Sequence, residues 1–181
     1  MVGFKRAVYI FELLALVLLS CSWNNSPTKK ESEVKAAYLY TFLKYMECSG
    51  SNSDPIIIAV VGKDPFEGEL KKYSGKEVRG RKIKLVYYEP KKDGLKNINK
   101  CHLLYMGDSA ILLQKKILSQ FKTYNPLTIA ENEWFLESGG MINLVNQSRT
   151  IRWEVNYKAI KDSKIKISSK VLRLAVNRGQ K

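Results

Sequence analysis

Histidine and cysteine are scarce in this chain, with one histidine and three cysteines among 181 residues. His102 with the scattered Cys48 and Cys101 gives no recognised ligand spacing, so no metal site is expected. Cys101 and His102 are neighbours on an apolar strand, where adjacent side chains leave by opposite faces, which argues against a nucleophile and base pair. His102 therefore reads as structural. Phosphate-binding glycine patterns are missing too. Val61-Gly62-Lys63-Asp64-Pro65 follows a strand and opens a helix, where anions bind in nucleotide folds, but it has neither the dinucleotide nor the P-loop spacing. No acidic cluster stands out among the 17 carboxylates. Nothing here supports an enzyme or a cofactor. The apolar run Ala7–Leu19 is broken by Glu12 and is short for a bilayer-spanning helix.

What the chain does have is positive charge. Its 31 Lys and Arg against 17 Asp and Glu give a formal net charge of +14. Such a balance favours anionic partners: lipid headgroups, lipopolysaccharide, acidic protein faces or nucleic acid. No RNP, helix-turn-helix or zinc pattern accompanies it, and no nucleic acid is expected. The basic residues concentrate in 71–84, where Lys71, Lys72, Lys76, Arg79, Arg81, Lys82 and Lys84 are opposed only by Glu77, and recur in 158–181. That density reads either as a solvated lysine-rich surface or as a binding patch.

Lys5 and Arg6 followed by Ala7–Leu19 read as an export signal. Leu18-Leu19-Ser20-Cys21 closes this stretch and resembles the acylation box of bacterial lipoproteins, which predicts a leader over 1–20 and lipid on Cys21. The polar residues 22–30 extend at most about 30 Å, so the tether 21–30 holds the domain close to its membrane, inner or outer. With Cys21 assigned to lipid, Cys48 and Cys101 remain as a candidate disulfide in an oxidising compartment, provided their α carbons approach to about 5.5 Å.

Residues 31–176 have the size of one domain with a single core. Glu31–Tyr45 reads as an amphipathic helix with Val34, Ala37, Tyr38, Tyr40, Phe42 and Tyr45 in one stripe. Ile56–Val61 is a continuous β-branched run, predicting a strand buried on both faces. Asp64-Pro65 supplies a cap and a first-turn proline for a helix over Phe66–Tyr73. Strands follow at Arg81–Tyr88, His102–Met106 and Leu127–Ala130, with a helix from Gly107 to about Gln120 and a helical turn at Asn132–Glu137. This alternation predicts an α/β fold with a mostly parallel sheet and flanking helices. Gly139-Gly140 leads into Met141–Val145, and its partner Thr150–Val155 completes an antiparallel edge hairpin. Alternation puts Ile151, Trp153 and Val155 on one face and Thr150, Arg152 and Glu154 on the other. Ser168 caps a last helix over Lys170–Ala175, and 177–181 form a basic tail.

The blocks GGMINLV, TIRWEVN and KISSKVLRLA resemble the YfiR family of exported bacterial regulators. VKAAYLYTFLKYM, IIIAVVGKDPF, GRKIKLVYY, CHLLYMG and LTIAENEWF continue the resemblance upstream, in order, so that it covers Glu31–Ala175. The resemblance implies a single-domain sandwich that often dimerises. It also implies a non-enzymatic, periplasm-facing regulator that restrains an inner-membrane sensor, a diguanylate cyclase or kinase, by binding its periplasmic domain. Glu154 and Ile160 would contact that partner, with Arg152 and Asn156 holding the strand end. On the residues alone, Arg152 and Glu154 read equally as a solvated ion pair worth about 0–1 kcal/mol. Two positions depart from the family pattern: Trp153 stands where phenylalanine is usual, and Cys48 where tryptophan is. The cysteine set of better-known relatives, which carry disulfides within the domain, is not reproduced. The alternative function is a ligand-binding or structural envelope lipoprotein, with aromatic residues such as Tyr38, Tyr87 and Trp134 lining a pocket.

The acylation box generates a direct expectation. Cys21→Ser should move the protein from the membrane to the soluble periplasmic fraction; identical fractionation, with no lipid mass on the mature N-terminus, would refute the anchor.

Overall fold

The computed structural model describes residues 29–47, 54–90, 98–121, 126–163 and 165–176. Residues 1–20, expected as a leader, lie outside the described residues, as do Cys21, Cys48 and the tail 177–181. The elements run α1 (Lys29–Tyr45), β1 (Ile56–Val61), β2 (Glu77–Val78), β3 (Arg81–Tyr88), β4 (Leu103–Met106), α2 (Gln114–Leu118), β5 (Leu127–Ala130), β6 (Ile142–Gln147), β7 (Thr150–Val155), α3 (Tyr157–Ser163) and α4 (Ser169–Arg173). Short 3-10 segments occupy Glu69–Tyr73, Ile98–Lys100 and Asp108–Leu113.

Among the described residues the strands form one sheet in the order β2-β3-β1-β4-β5-β6-β7. The pairs from β3 across to β6 are parallel, while β2–β3 and β6–β7 are antiparallel. The fold is thus the expected α/β domain with an edge hairpin. β1 sits inside the sheet because its run of Ile, Ala and Val can be buried on both faces. Ile56, Ile58 and Val60 face the larger apolar cluster with Leu39, Phe42 and Trp153. Ala59 and Val61 face the smaller one with Leu104, Ala110 and Phe135.

Several elements differ from their sequence expectation. In α1 the buried stripe is Ser32, Lys35, Ala36, Leu39, Phe42 and Leu43, so the tyrosines flank the core instead of filling it. The helix predicted over Phe66–Tyr73 shortens to a 3-10 turn, because Glu67 and Gly68 both take positive φ (49° and 84°) and a right-handed helix cannot pass through them. Asp64 does cap locally, accepting from Phe66 N at 2.9 Å. β2 was not anticipated: two residues make a strand too short to leave a pattern, and the turn Arg79-Gly80, with φ 52° and 75°, folds it back on β3. Ser168 caps α4 as expected, accepting from Lys170 N.

In α/β sheets ligands bind outside the carboxyl ends of the strands, where the order reverses. Here that point lies between β1 and β4, where the turns that follow the two strands meet. Lys63 N donates to Ser109 Oγ at 2.8 Å. A Cβ on Gly107 would lie 2.6 Å from Lys63 O, so only glycine permits this approach. Beside it, at the end of β5, the buried Lys35 ammonium of α1 reaches Glu31 at 2.7 Å and Glu131 at 2.6 Å. The buried Tyr105 hydroxyl joins Glu131, and burial pushes its pKa well up. Burial alone would lower the Lys35 pKa, but hydrogen bonds and charge from Glu131 and Glu31 outweigh it and raise the value.

Lys35 therefore pins α1 to the sheet. Lys35→Met leaves two carboxylates without their cation and should destabilise by about 3 kcal/mol at neutral pH, the low end for a buried pair because both carboxylates keep some water. A folded pKa above the ordinary 10.5 means this stabilisation is full below that pH and is lost as pH rises through the folded value. Denaturant unfolding of both proteins should show the gap closing at such alkaline pH and narrowing again in acid as Glu131, whose pKa burial raises, takes up its proton; a pH-independent gap would contradict the assignment.

Candidate functional site

The sequence places its candidate partner-binding residues at the end of the edge hairpin, so the geometry there begins with β7. Gln147 and Thr150 are the last pair of the β6–β7 ladder, and the turn between them uses Ser148 and Arg149 with φ 50° and 65°. Positive φ at both central residues is the type I′ geometry that matches strand twist. The hairpin is tighter than the expected loop 146–149, and β6 runs on to Gln147.

Register then fixes faces. Trp153 lies opposite Leu144, and Glu154 opposite Asn143. The Trp153 ring meets Tyr38 at 5.0 Å and Phe42 at 5.5 Å, edge to face in both cases. Tyr38 Oη also donates to Ile151 O at 2.8 Å. Trp153 is 8% exposed, and its Nε1 is buried without a partner. Val176 N donates to Trp153 O at 2.8 Å, so the C-terminal segment covers this strand end.

On the opposite face Arg152 is exposed and Glu154 half-buried. Asn143 Nδ2 lies 3.5 Å from Glu154 Oε2, while Asn143 Oδ1 accepts from Asn132 N at 3.0 Å. Asn156 is the hub of the junction. Its Oδ1 accepts from Ala159 N at 2.9 Å, which makes it the N-cap of α3. Its Nδ2 donates to Leu136 O and its backbone N to Met141 O, both at 2.9 Å.

Ile160 is corrected. The resemblance has it contacting the partner, but it is 7% exposed and belongs to the larger apolar cluster. The cap at Asn156 starts the helix so that Ile160 turns inward, and Lys158 and Asp162 pair at 2.7 Å on the outside. The exposed apolar surface of this junction is instead Tyr157, 48% exposed with its hydroxyl donating to Leu172 O. Its position next to the cap could have been read from the sequence. A cleft of about 510 Å³ opens beside α3, lined among others by Phe121, Leu136, Met141, Asn156 and Lys158.

Cys101 is a buried free thiol that donates to Ile98 O at 3.0 Å, and burial pushes its pKa up to about 12. His102 turns to other partners: its Nδ1 accepts from Ile57 N, and its Nε2 lies 3.0 Å from an Arg81 nitrogen.

The YfiR/HmsC-like family profile matches residues 32–176. The chain belongs to the YfiR/HmsC-like family. No curated protein matches it. Among solved structures it is similar to a conserved domain protein of Vibrio cholerae O1 biovar El Tor, with a TM-score of 0.58 and 12% identity over 84% of this chain. The chain spans 60% of that protein's length, and at this identity the likeness concerns the fold. Among the described residues no helix is long and apolar enough to cross a membrane.

Neighbours on β7 should respond oppositely to truncation. Trp153→Ala should cost about 3–5 kcal/mol, whereas Trp153→Phe, which keeps the edge contacts and removes the unpartnered N–H, should cost under about 1.5 kcal/mol. Glu154→Ala should stay near ±0.5 kcal/mol. Thermal melts that rank Glu154→Ala above Trp153→Ala would mean a register shifted by one residue.

Proposed function

We propose that this chain is an exported, non-enzymatic regulator that binds the periplasmic domain of an inner-membrane signalling protein and restrains it, a diguanylate cyclase being the first candidate. The family match over 32–176 carries the reading, because it includes the RWEVN strand whose end forms the junction described above. At the junction Arg152 and Tyr157 are exposed and Glu154 is half-buried, so charge and an aromatic side chain lie within one turn of chain. Aromatic and arginine side chains are the usual energetic centres of protein interfaces.

Restraint requires tighter binding to the inactive than to the active state of the partner, and only that difference shifts its output. In this proposal residues 1–20 are the leader and Cys21 carries lipid, so the tether keeps the domain near one membrane. Retention at the inner membrane, or a partner that extends across the periplasm, brings the junction within reach. The cleft beside α3 favours a second reading, a ligand-binding envelope lipoprotein, whose hallmark is a small molecule retained through purification.

Glu154→Lys reverses a charge at the junction and leaves both apolar clusters as they are. It should weaken binding to the partner's periplasmic domain and raise cellular cyclic di-GMP while the melting temperature stays close to wild type. Ile160→Asp, in contrast, should lower the melting temperature, since it buries a charge in the apolar cluster. Unchanged cyclic di-GMP after deletion of the whole gene would remove the cyclase reading.

A further inference from the structure

The densest run of basic residues has a geometry that the regulator reading leaves unused. The Tyr40 ring of α1 stacks on Tyr73 of the first 3-10 turn, with centroids 4.7 Å apart. Lys76 Nζ lies 4.8 Å from the Tyr73 centroid and 5.9 Å from that of Tyr40, and Lys44 Nζ lies 5.7 Å from Tyr40. Arg79, at the tip of the β2–β3 turn, donates to Lys44 O at 3.4 Å. Two exposed lysines are thus gathered on one pair of stacked rings, and the exposed Arg79 is tied to the same helix end through the Lys44 carbonyl.

Like charges repel, and a fold that gathers them leaves a place for an anion. Among the described residues, the carboxylates nearby face other cations or stand alone. Glu69 pairs with Lys72, and Glu33 acts on Lys72 as well. Glu77 sits across from Lys82, on the strand face opposite to the buried Val78. Among the described residues no carboxylate pairs with Lys44, Lys76 or Arg79. The tyrosine faces hold the ammonium groups through their negative quadrupole, which orients them without neutralising them.

We propose that Lys44, Lys76 and Arg79 form a docking surface for the phosphate-bearing face of an anionic membrane. Three exposed cations spread over a helix end and a hairpin tip suit a field of headgroups better than a single enclosed ion. The proposed anchor agrees with this geometry. The eight steps from Cys21 to Lys29 reach about 27 Å, and α1 from Lys29 to Lys44 is about 22 Å long, so the far end of the helix can meet the bilayer that holds the lipid. Docking there would orient the domain on its membrane, with the tether and the cationic platform as two points of attachment.

The test uses residues 29–181, which contain every described element and both apolar clusters, so the result does not depend on Cys21. Co-sedimentation with vesicles of phosphatidylcholine alone is compared with vesicles of phosphatidylcholine and phosphatidylglycerol in about equal parts. Binding is expected only to the second, and it should fade at high salt. Each cation near an anionic surface strengthens binding roughly fivefold, so Lys44→Gln, Lys76→Gln and Arg79→Gln together should weaken it by roughly a hundredfold. Lys115→Gln, Lys116→Gln and Lys170→Gln remove the same charge elsewhere and should leave most of the affinity. If the first triple variant folds poorly, Lys76→Gln alone should still show a several-fold loss. Equal losses in the two triple variants would overturn the proposal, as would an absence of binding to the anionic vesicles. Displacement by inorganic phosphate but not by chloride of matched ionic strength would overturn it in favour of a soluble phosphate site. Any of these failures leaves the regulator reading, tested through cyclic di-GMP, untouched.

Discussion

The grip of Tyr38 and Phe42 on Trp153 is the contact on which the hairpin end of the domain depends. β7 is the last strand of the sheet, and an edge strand has only one neighbour to hold it. Two edge-to-face ring contacts from α1, with the Tyr38 hydroxyl on Ile151 O, bind that edge to the N-terminal helix. The bond from Val176 N to Trp153 O then closes it from the C-terminal side. Aromatic pairs of this kind add about 0.5–1.5 kcal/mol each beyond their buried area. With the strand held on its inner face, Arg152 and Glu154 point outward in fixed register, and Asn156 begins α3 at a defined angle.

Where the local chemistry was strong, the sequence and the structure agree. The run IIIAVV could only be an interior strand, and alternation in TIRWEV separated Trp153 from Glu154 correctly. Ser168 and Asp64 cap as their types suggest. The misses have physical causes. Glu67 and Gly68 ended a helix that proline and hydrophobic spacing had promised, because their left-handed backbone answers to tertiary packing. Ile160 differs for the opposite reason: in the polar segment YKAIKDS a lone isoleucine is the residue a short helix buries. Lys35 was illegible, since the Glu131 that makes its burial tolerable lies on β5, far away in the chain.

Charge and apolar packing divide the molecule between two tasks. At the carboxyl ends of the parallel strands lie Lys35 with its two carboxylates and the close approach at Gly107. The remaining character is at the surface: a mixed aromatic and charged junction after β7, and a cationic platform at the far end of α1. In the proposed account the second places the domain on its membrane and the first meets the sensor, so that attachment raises the local concentration of the regulatory face without adding contacts to it.

The central claim is that the end of β7 and the start of α3 touch the partner. Site-specific photo-crosslinking in intact envelopes tests it most directly, with the reactive side chain placed in turn at Arg152, at Tyr157 and, as a remote control, at the fully exposed Leu112. The account expects one common adduct from positions 152 and 157, identified by mass spectrometry as an inner-membrane protein with a periplasmic sensory domain, and none of that mass from position 112. The same adduct from position 112 alone, or from no position while the protein still alters cyclic di-GMP, would contradict it.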